Sequence, residues 1–204
     1  MTPNRNRGMV QRKLNLSEQF REALGYIRDC RREIYFVVLL FILGWIFGSF
    51  FASYLGFLNE FLERIVAQTQ GMNGYQLGLF ILQNNLNSSF WTVLLGSALG
   101  IIPILSTFFN GVVVGYVVES VSAIEGMGFF SLVFMLLPHG VFELPAVFIS
   151  FGMGLRLGLS LFSKNPLDDF GYRLGQSANV LLFVVLPLLI IAAIIETLLI
   201  FLFP

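Results

Sequence analysis

From Phe90 to Val121 the chain is apolar, with Glu119 as its one charged residue. A helix rises about 1.5 Å per residue and a bilayer core is crossed by about 20 residues. The stretch is therefore too long for one crossing, and too apolar for the surface of a soluble fold. Three more apolar stretches accompany it: Tyr35 to Tyr54, Phe129 to Phe162 and Ala178 to Phe203. Hydrophobic residues make up 56% of the chain and charged ones 12%, which leaves too little polar surface for water. The expected fold is all-α: a polytopic transmembrane helix bundle of about five spans, with a cytoplasmic N-terminal amphipathic helix.

Eight of the twelve Lys and Arg lie before residue 33. Residues 1–16 are polar and basic without apolar period, and read as an arm. Ser17 is the expected N-cap of a following helix, with Glu18 in its first turn. Phe20, Leu24, Ile27 and Ile34 recur at helical spacing, flanked by Arg21, Arg28, Arg31 and Arg32. This is the pattern of a basic helix lying on anionic lipid. The segment is too long and too charged for a cleavable signal peptide. Residues 1–34 thus form a basic cytoplasmic part, and 35–204 the membrane domain.

Within that domain the spans are expected near 35–54, 86–103, 105–121, 129–162 (broken at 137–140 by Leu-Pro-His-Gly) and 178–203. Residues 55–83 read as a short amphipathic loop, with a surface helix at 57–68. Gly100 and Pro103 divide the stretch 90–121, and charge supports two spans there rather than one. With two, the loop at 157–177 falls on the same side as the N-terminus. Arg156, Lys164 and Arg173 then join the eight N-terminal cations, and only Arg64 lies opposite. Lys and Arg concentrate on the cytoplasmic side, so the expectation is a multi-pass cell-membrane protein with its N-terminus inside and C-terminus outside.

GxxxG pairs occur at Gly44/Gly48, Gly96/Gly100, Gly111/Gly115 and Gly154/Gly158, one in each of the first four spans. Small residues let helix backbones approach closely in lipid. The pattern implies a tightly packed bundle, and the helix count leaves room for a homodimer.

Ionisable groups inside lipid face the protein interior or a cavity. Here they are Glu119, His139, Glu143 and Glu196, and the topology puts all four in the outer half. His139 and Glu143 share a helix face. Three chemistries fit such a cluster. A knot of interhelical hydrogen bonds is favoured over a proton or cation path. Metal comes third, because one His with carboxylates is a poor zinc set and the lone Cys30 adds no second thiolate. No protease, nucleotide or dinucleotide motif is present. No cofactor, nucleic-acid partner or catalytic activity is expected. Asn87-Ser88-Ser89 matches a glycosylation sequon, but lies too near the bilayer to be read as one.

Leu-Pro-His-Gly-Val-Phe-Glu-Leu-Pro-Ala at 137–146, followed by Gly-x-Gly-Leu-Arg-Leu-Gly at 152–158, resembles the stage II sporulation protein M family. Asn84-Asn85, Asn110-Gly111 and Ala-Ala-Ile-Ile-Glu at 192–196 extend the likeness over roughly residues 80–200. Asn84, Asn85, Asn110, Gly111, Pro138, His139, Gly140, Glu143 and Pro145 carry it. The resemblance implies a multi-span membrane protein without established catalysis. The family's namesake works with peptidoglycan-degrading partners in engulfment, as their membrane anchor. The sporulation role does not follow from the motif, since members occur in organisms that form no spores. The implied function is a non-enzymatic scaffold or anchor, recruiting other membrane or envelope proteins besides the lipids around it. A small ion- or proton-coupled transporter built on the Glu/His cluster is the other reading.

Overall fold

The computed structural model describes residues 15–125 and 129–202, with side chains throughout except at 124, 125, 129–139, 200 and 202. Its helices in chain order are α1 (Leu16–Asp29), α2 (Arg31–Phe50), α3 (Leu58–Thr69), α4 (Gly74–Leu95), α5 (Ile101–Glu125), α6 (Phe129–Gly158), α7 (Pro166–Val180) and α8 (Leu186–Leu202). A π turn, Leu181–Val185, joins α7 to α8 without interrupting the run. Four segments are long and apolar enough to cross a membrane: Arg31–Phe50, Ile101–Ala123, Gly140–Phe162 and Pro166–Leu199.

Glycine contacts set the direction of each helix. Gly44 and Gly48 of α2 lie on the backbone of α5 at Phe108 and Val112, while Gly111 and Gly115 of α5 lie on α2 at Phe41 and Trp45. The numbers rise together, so α2 and α5 are parallel. Ser49 seals the pair by donating to the Gly115 carbonyl at 3.3 Å. Likewise Thr92 of α4, and Gly96 and Gly100 just past its end, meet Gly154, Leu155 and Gly158 of α6 in rising order, which makes those two helices parallel. Gly152 of α6 meets Ile34 and Phe148 stacks edge-on against Phe41, so α6 opposes α2. All four GxxxG pairs are thus spent on crossings inside the chain.

Because α2 and α5 run the same way, the chain must return between them, and α4 is the returning element. It packs between α6 and α8, with Gly78 against Ala193 and Thr197. The largest apolar core gathers Ala23 of α1, Cys30 at the α1–α2 junction, Val93 of α4, Met153 and Leu157 of α6, Val185 of the π turn and Leu189 of α8.

The structure corrects several expected boundaries. The segment read as loop to residue 83 is helical from Gly74, where Asn73 Oδ1 accepts from Gln76 N at 2.9 Å and Gln76 Oε1 accepts from Asn73 N at 3.0 Å. That reciprocal cap starts a helix whatever the hydropathy beyond it. The break in 90–121 falls at 96–100 rather than between the spans expected at 86–103 and 105–121, with Leu99 at φ 57° and Gly100 at φ 74°. Pro103 sits in the first turn of α5, where its missing N–H leaves no bond unmade. The backbone of α6 runs helical through 137–140. A membrane helix tolerates a proline because neighbours re-satisfy the freed carbonyl. The loop expected at 157–177 is largely α7, begun by Pro166 with Asp168 and Asp169 in the first turn. The cap of α1 is Asn15 rather than Ser17, with Asn15 N donating to Glu18 Oε2 at 3.1 Å.

Candidate functional site

The bundle has two ends. One carries the start of α2, the turn 96–100, and the end of α6. The other carries the end of α2, the start of α4 and the end of α8. The polar residues singled out in the sequence lie at the second end or in mid-bundle.

Glu196 is buried on α8, 6% exposed, one residue from the Thr197 that meets Gly78 of α4. Glu143 is half-buried on α6. Glu119 is exposed on α5 and opens into a shallow groove of about 370 Å³, lined also by Ser49, Ser53, Tyr116 and Ser120. That groove lies on the α2 side of α5. The side chains of Pro138 and His139 lie outside the described residues, so the structure does not place the imidazole.

The other motif residues divide by role. Gly111 is a packing contact against Phe41 and Trp45. Asn110 is exposed, yet its amide is satisfied by donating to the Ser106 carbonyl at 2.7 Å. Gly140 is half-buried and Pro145 exposed on α6. Asn84 and Asn85 flank the midpoint of α4, Asn84 exposed and Asn85 half-buried. The midpoint lies about 15 Å from either helix end.

A second polar centre, at the opposite end, went unread in the sequence. Arg156 of α6 donates from Nη1 to the Asp29 carbonyl at 2.6 Å and to Glu33 Oε1 at 3.1 Å. Its Cζ sits 5.9 Å from the centroid of the Tyr26 ring. Arg173 of α7 donates in turn to the Arg156 carbonyl, and Tyr172 meets Tyr26 edge-on at 6.4 Å. One guanidinium thus ties the α1–α2 junction to α6, and a second ties α6 to α7. Both bonds leave from one nitrogen, while the planar guanidinium also faces the Tyr26 ring, a contact that suits arginine better than lysine. Burial pushes the Cys30 thiol up to about 12, with Arg156 opposing the shift, and also raises the Tyr26 phenol. Both stay neutral at physiological pH. The signal available was an arginine inside an apolar stretch, which needs a partner. Glu33, just inside α2, is that partner.

Two short helices decorate the bundle. α1 packs on α7 through Ala23, Tyr26 and Ile27, and Asn179 Nδ2 donates to the Gln19 carbonyl at 3.0 Å. This face is rotated from the expected apolar stripe, leaving Leu16, Phe20 and Leu24 exposed. α3 leans on the flank of α5. Leu58 is buried with Val112 and Tyr116, the Tyr116 hydroxyl donates to Asn59 Oδ1, and Phe61 meets Phe109 edge-on. Ile65 and Val66 remain exposed.

No curated protein and no solved structure matches the chain. The model of the stage II sporulation protein M family matches residues 37–199, from the first apolar helix to the last, so the chain belongs to that family.

Proposed function

We propose that the chain is a non-catalytic membrane scaffold, crossing five times with its N-terminus cytoplasmic and its C-terminus outside, that recruits partners in envelope or membrane remodelling. The fifth crossing is α4, a reading that the parallel course of α2 and α5 supports. Family membership supports a membrane role without known enzymology. The observation that carries the scaffold reading is α3. It is pinned to α5 at Leu58, Asn59 and Phe61, yet presents Ile65 and Val66 beside Glu60, Glu63 and Arg64. An apolar pair rimmed by charged side chains on a fixed helix suits a protein contact, whose centre is apolar and whose rim is polar. On the other side, Leu16, Phe20 and Leu24 beside Arg21 and Arg28 suit anionic lipid. Glu196 and Glu143 are read as groups that join helices.

The test places a photo-crosslinking residue at Val66 in the full chain in native membranes. One defined envelope protein should be captured, and Val66→Glu should abolish both the adduct and that protein's localisation. Absence of an adduct, or a partner that stays in place with Val66→Glu, defeats the scaffold reading.

A further inference from the structure

Mid-bundle, α4 exposes unpaired amides where α2 and α8 expose hydrocarbon, and the exposed Asn110 of α5 spends its amide on the Ser106 carbonyl. Gln83, Asn84 and Asn87 are exposed, and among the described residues none of their side chains makes a hydrogen bond. They sit within three residues of the helix midpoint. At that height the outward residues are Ile42 and Leu43 on α2 and Ile190 and Ile194 on α8. An unpaired amide facing lipid is costly, because hydrocarbon offers it no partner.

The spacing around these amides is ordered. Gln76, Phe80, Gln83, Asn87, Phe90 and Leu94 follow one another at intervals of four and three residues. That is the a/d alternation of a helix–helix seam. Phe80 is half-buried and the other five are exposed. The inner face of α4, with Gly78, Ser89 and Val93, is already covered by α6 and α8, so the seam is a second and separate face.

We infer that this seam binds a second copy of the chain, pairing α4 with α4 in parallel about a two-fold axis along the membrane normal. Complementarity selects that occupant. An amide carries both donor and acceptor, so a side chain near a two-fold axis can satisfy its own counterpart. An isologous contact brings the same patch to itself. α4 contains no charged residue between Gly74 and Leu95, so two copies meet without repulsion. Asn at a seam position also fixes register, since a shifted pair would strand it against apolar neighbours. The GxxxG pairs are used within the chain and do not compete for this role. The inference does not rest on the scaffold reading and survives its failure.

Cysteine scanning of the full chain in native membranes tests it, with the buried Cys30 left in place as an internal blank. Oxidation should give an adduct of twice the chain mass for Gln83→Cys, Asn87→Cys and Phe90→Cys. Leu39→Cys on α2 and Ile190→Cys on α8 should stay monomeric. Independently, the labelled wild-type chain in lipid vesicles should bleach in two steps. Asn87→Leu should raise the dissociation constant about three- to ten-fold, as for an interhelical amide contact in lipid. One-step bleaching of the wild-type chain overturns the inference whatever the variants do. So does equal crosslinking at Leu39 or Ile190, or an adduct whose mass is not twice that of the chain.

Discussion

Arg156 and Glu33 meet at 3.1 Å although 123 residues separate them in sequence. The same Nη1 also reaches the Asp29 carbonyl, so one side chain holds the entry of α2 against the exit of α6. Replacing it removes two charge-assisted bonds and leaves Glu33 without its cation. Arg156→Met should lower stability by ~2 kcal/mol, reduced from a fully buried pair because both side chains retain some solvent contact. Arg156→Lys should recover only part, since an ammonium reaches less far and lacks the planar face turned to the Tyr26 ring. Thermal unfolding in detergent reads both.

The glycines split into two groups with opposite expected effects. A Cβ on Gly48 or Gly111 would strike backbone of the facing helix, at Val112 and Phe41 respectively. Gly48→Ala and Gly111→Ala should each force α2 and α5 apart and cost ~1–3 kcal/mol, as overpacking does. Gly25 in α1 and Gly175 in α7 have nothing within 4 Å of an added Cβ. Gly25→Ala and Gly175→Ala should be neutral or stabilise by ~0.5–1 kcal/mol. Unfolding midpoints should therefore drop for the first two variants and stay at or above the wild type for the other two.

Cys30 should be inert in the folded chain and reactive once unfolded. Burial raises its thiol from 9.0 to about 12, and the thiolate is the nucleophile. The unfolded chain ionises first as pH rises. The stability tied to the neutral thiol is complete below pH 9 and is lost between there and about pH 12. Maleimide labelling at pH 8 should be slow in mild detergent and fast in denaturant. Fast labelling of the folded protein would contradict the burial.

The carboxylates at the far end should respond to mutation according to burial. Glu196→Ala empties a buried position on α8 and should cost ~1–3 kcal/mol, while Glu196→Gln should retain most of the stability. Glu119→Ala, on an exposed position, should stay within ~0.5 kcal/mol. A Glu196→Gln protein of normal stability that had lost a proton flux in vesicles would argue against reading Glu196 as a joint between helices.

Hydropathy made the apolar helices legible, because α2 and α5 are apolar on all sides. It failed where polar side chains enter a helix. Gly71, Asn73 and Gly74, after the charged run Glu60 to Arg64, made the first half of α4 read as loop, although Asn73 and Gln76 held the cap signature of its start. Pro103 was taken for the break between helices, when it marks the first turn after one. Pro166 with Asp168 and Asp169 was likewise a helix start placed inside an expected loop. Of the polar sites, the residues at the Glu196 end were legible one by one. The Arg156 centre was not, since its partners lie 123 and 127 residues upstream and only the antiparallel packing of α6 on α2 brings them together.

The parallel pairing of α2 and α5 has a consequence for the order of synthesis. Gly44 and Gly48 pack on residues 108 and 112, which emerge 64 residues later in each case. At about 5–20 residues per second, translation takes about 3–13 s to supply them. During that interval the small-residue ridge of α2 is uncovered, and α4 is made before the covering helix arrives. The half of the contact that is made earlier thus waits for the other, and the length of chain between them sets how long.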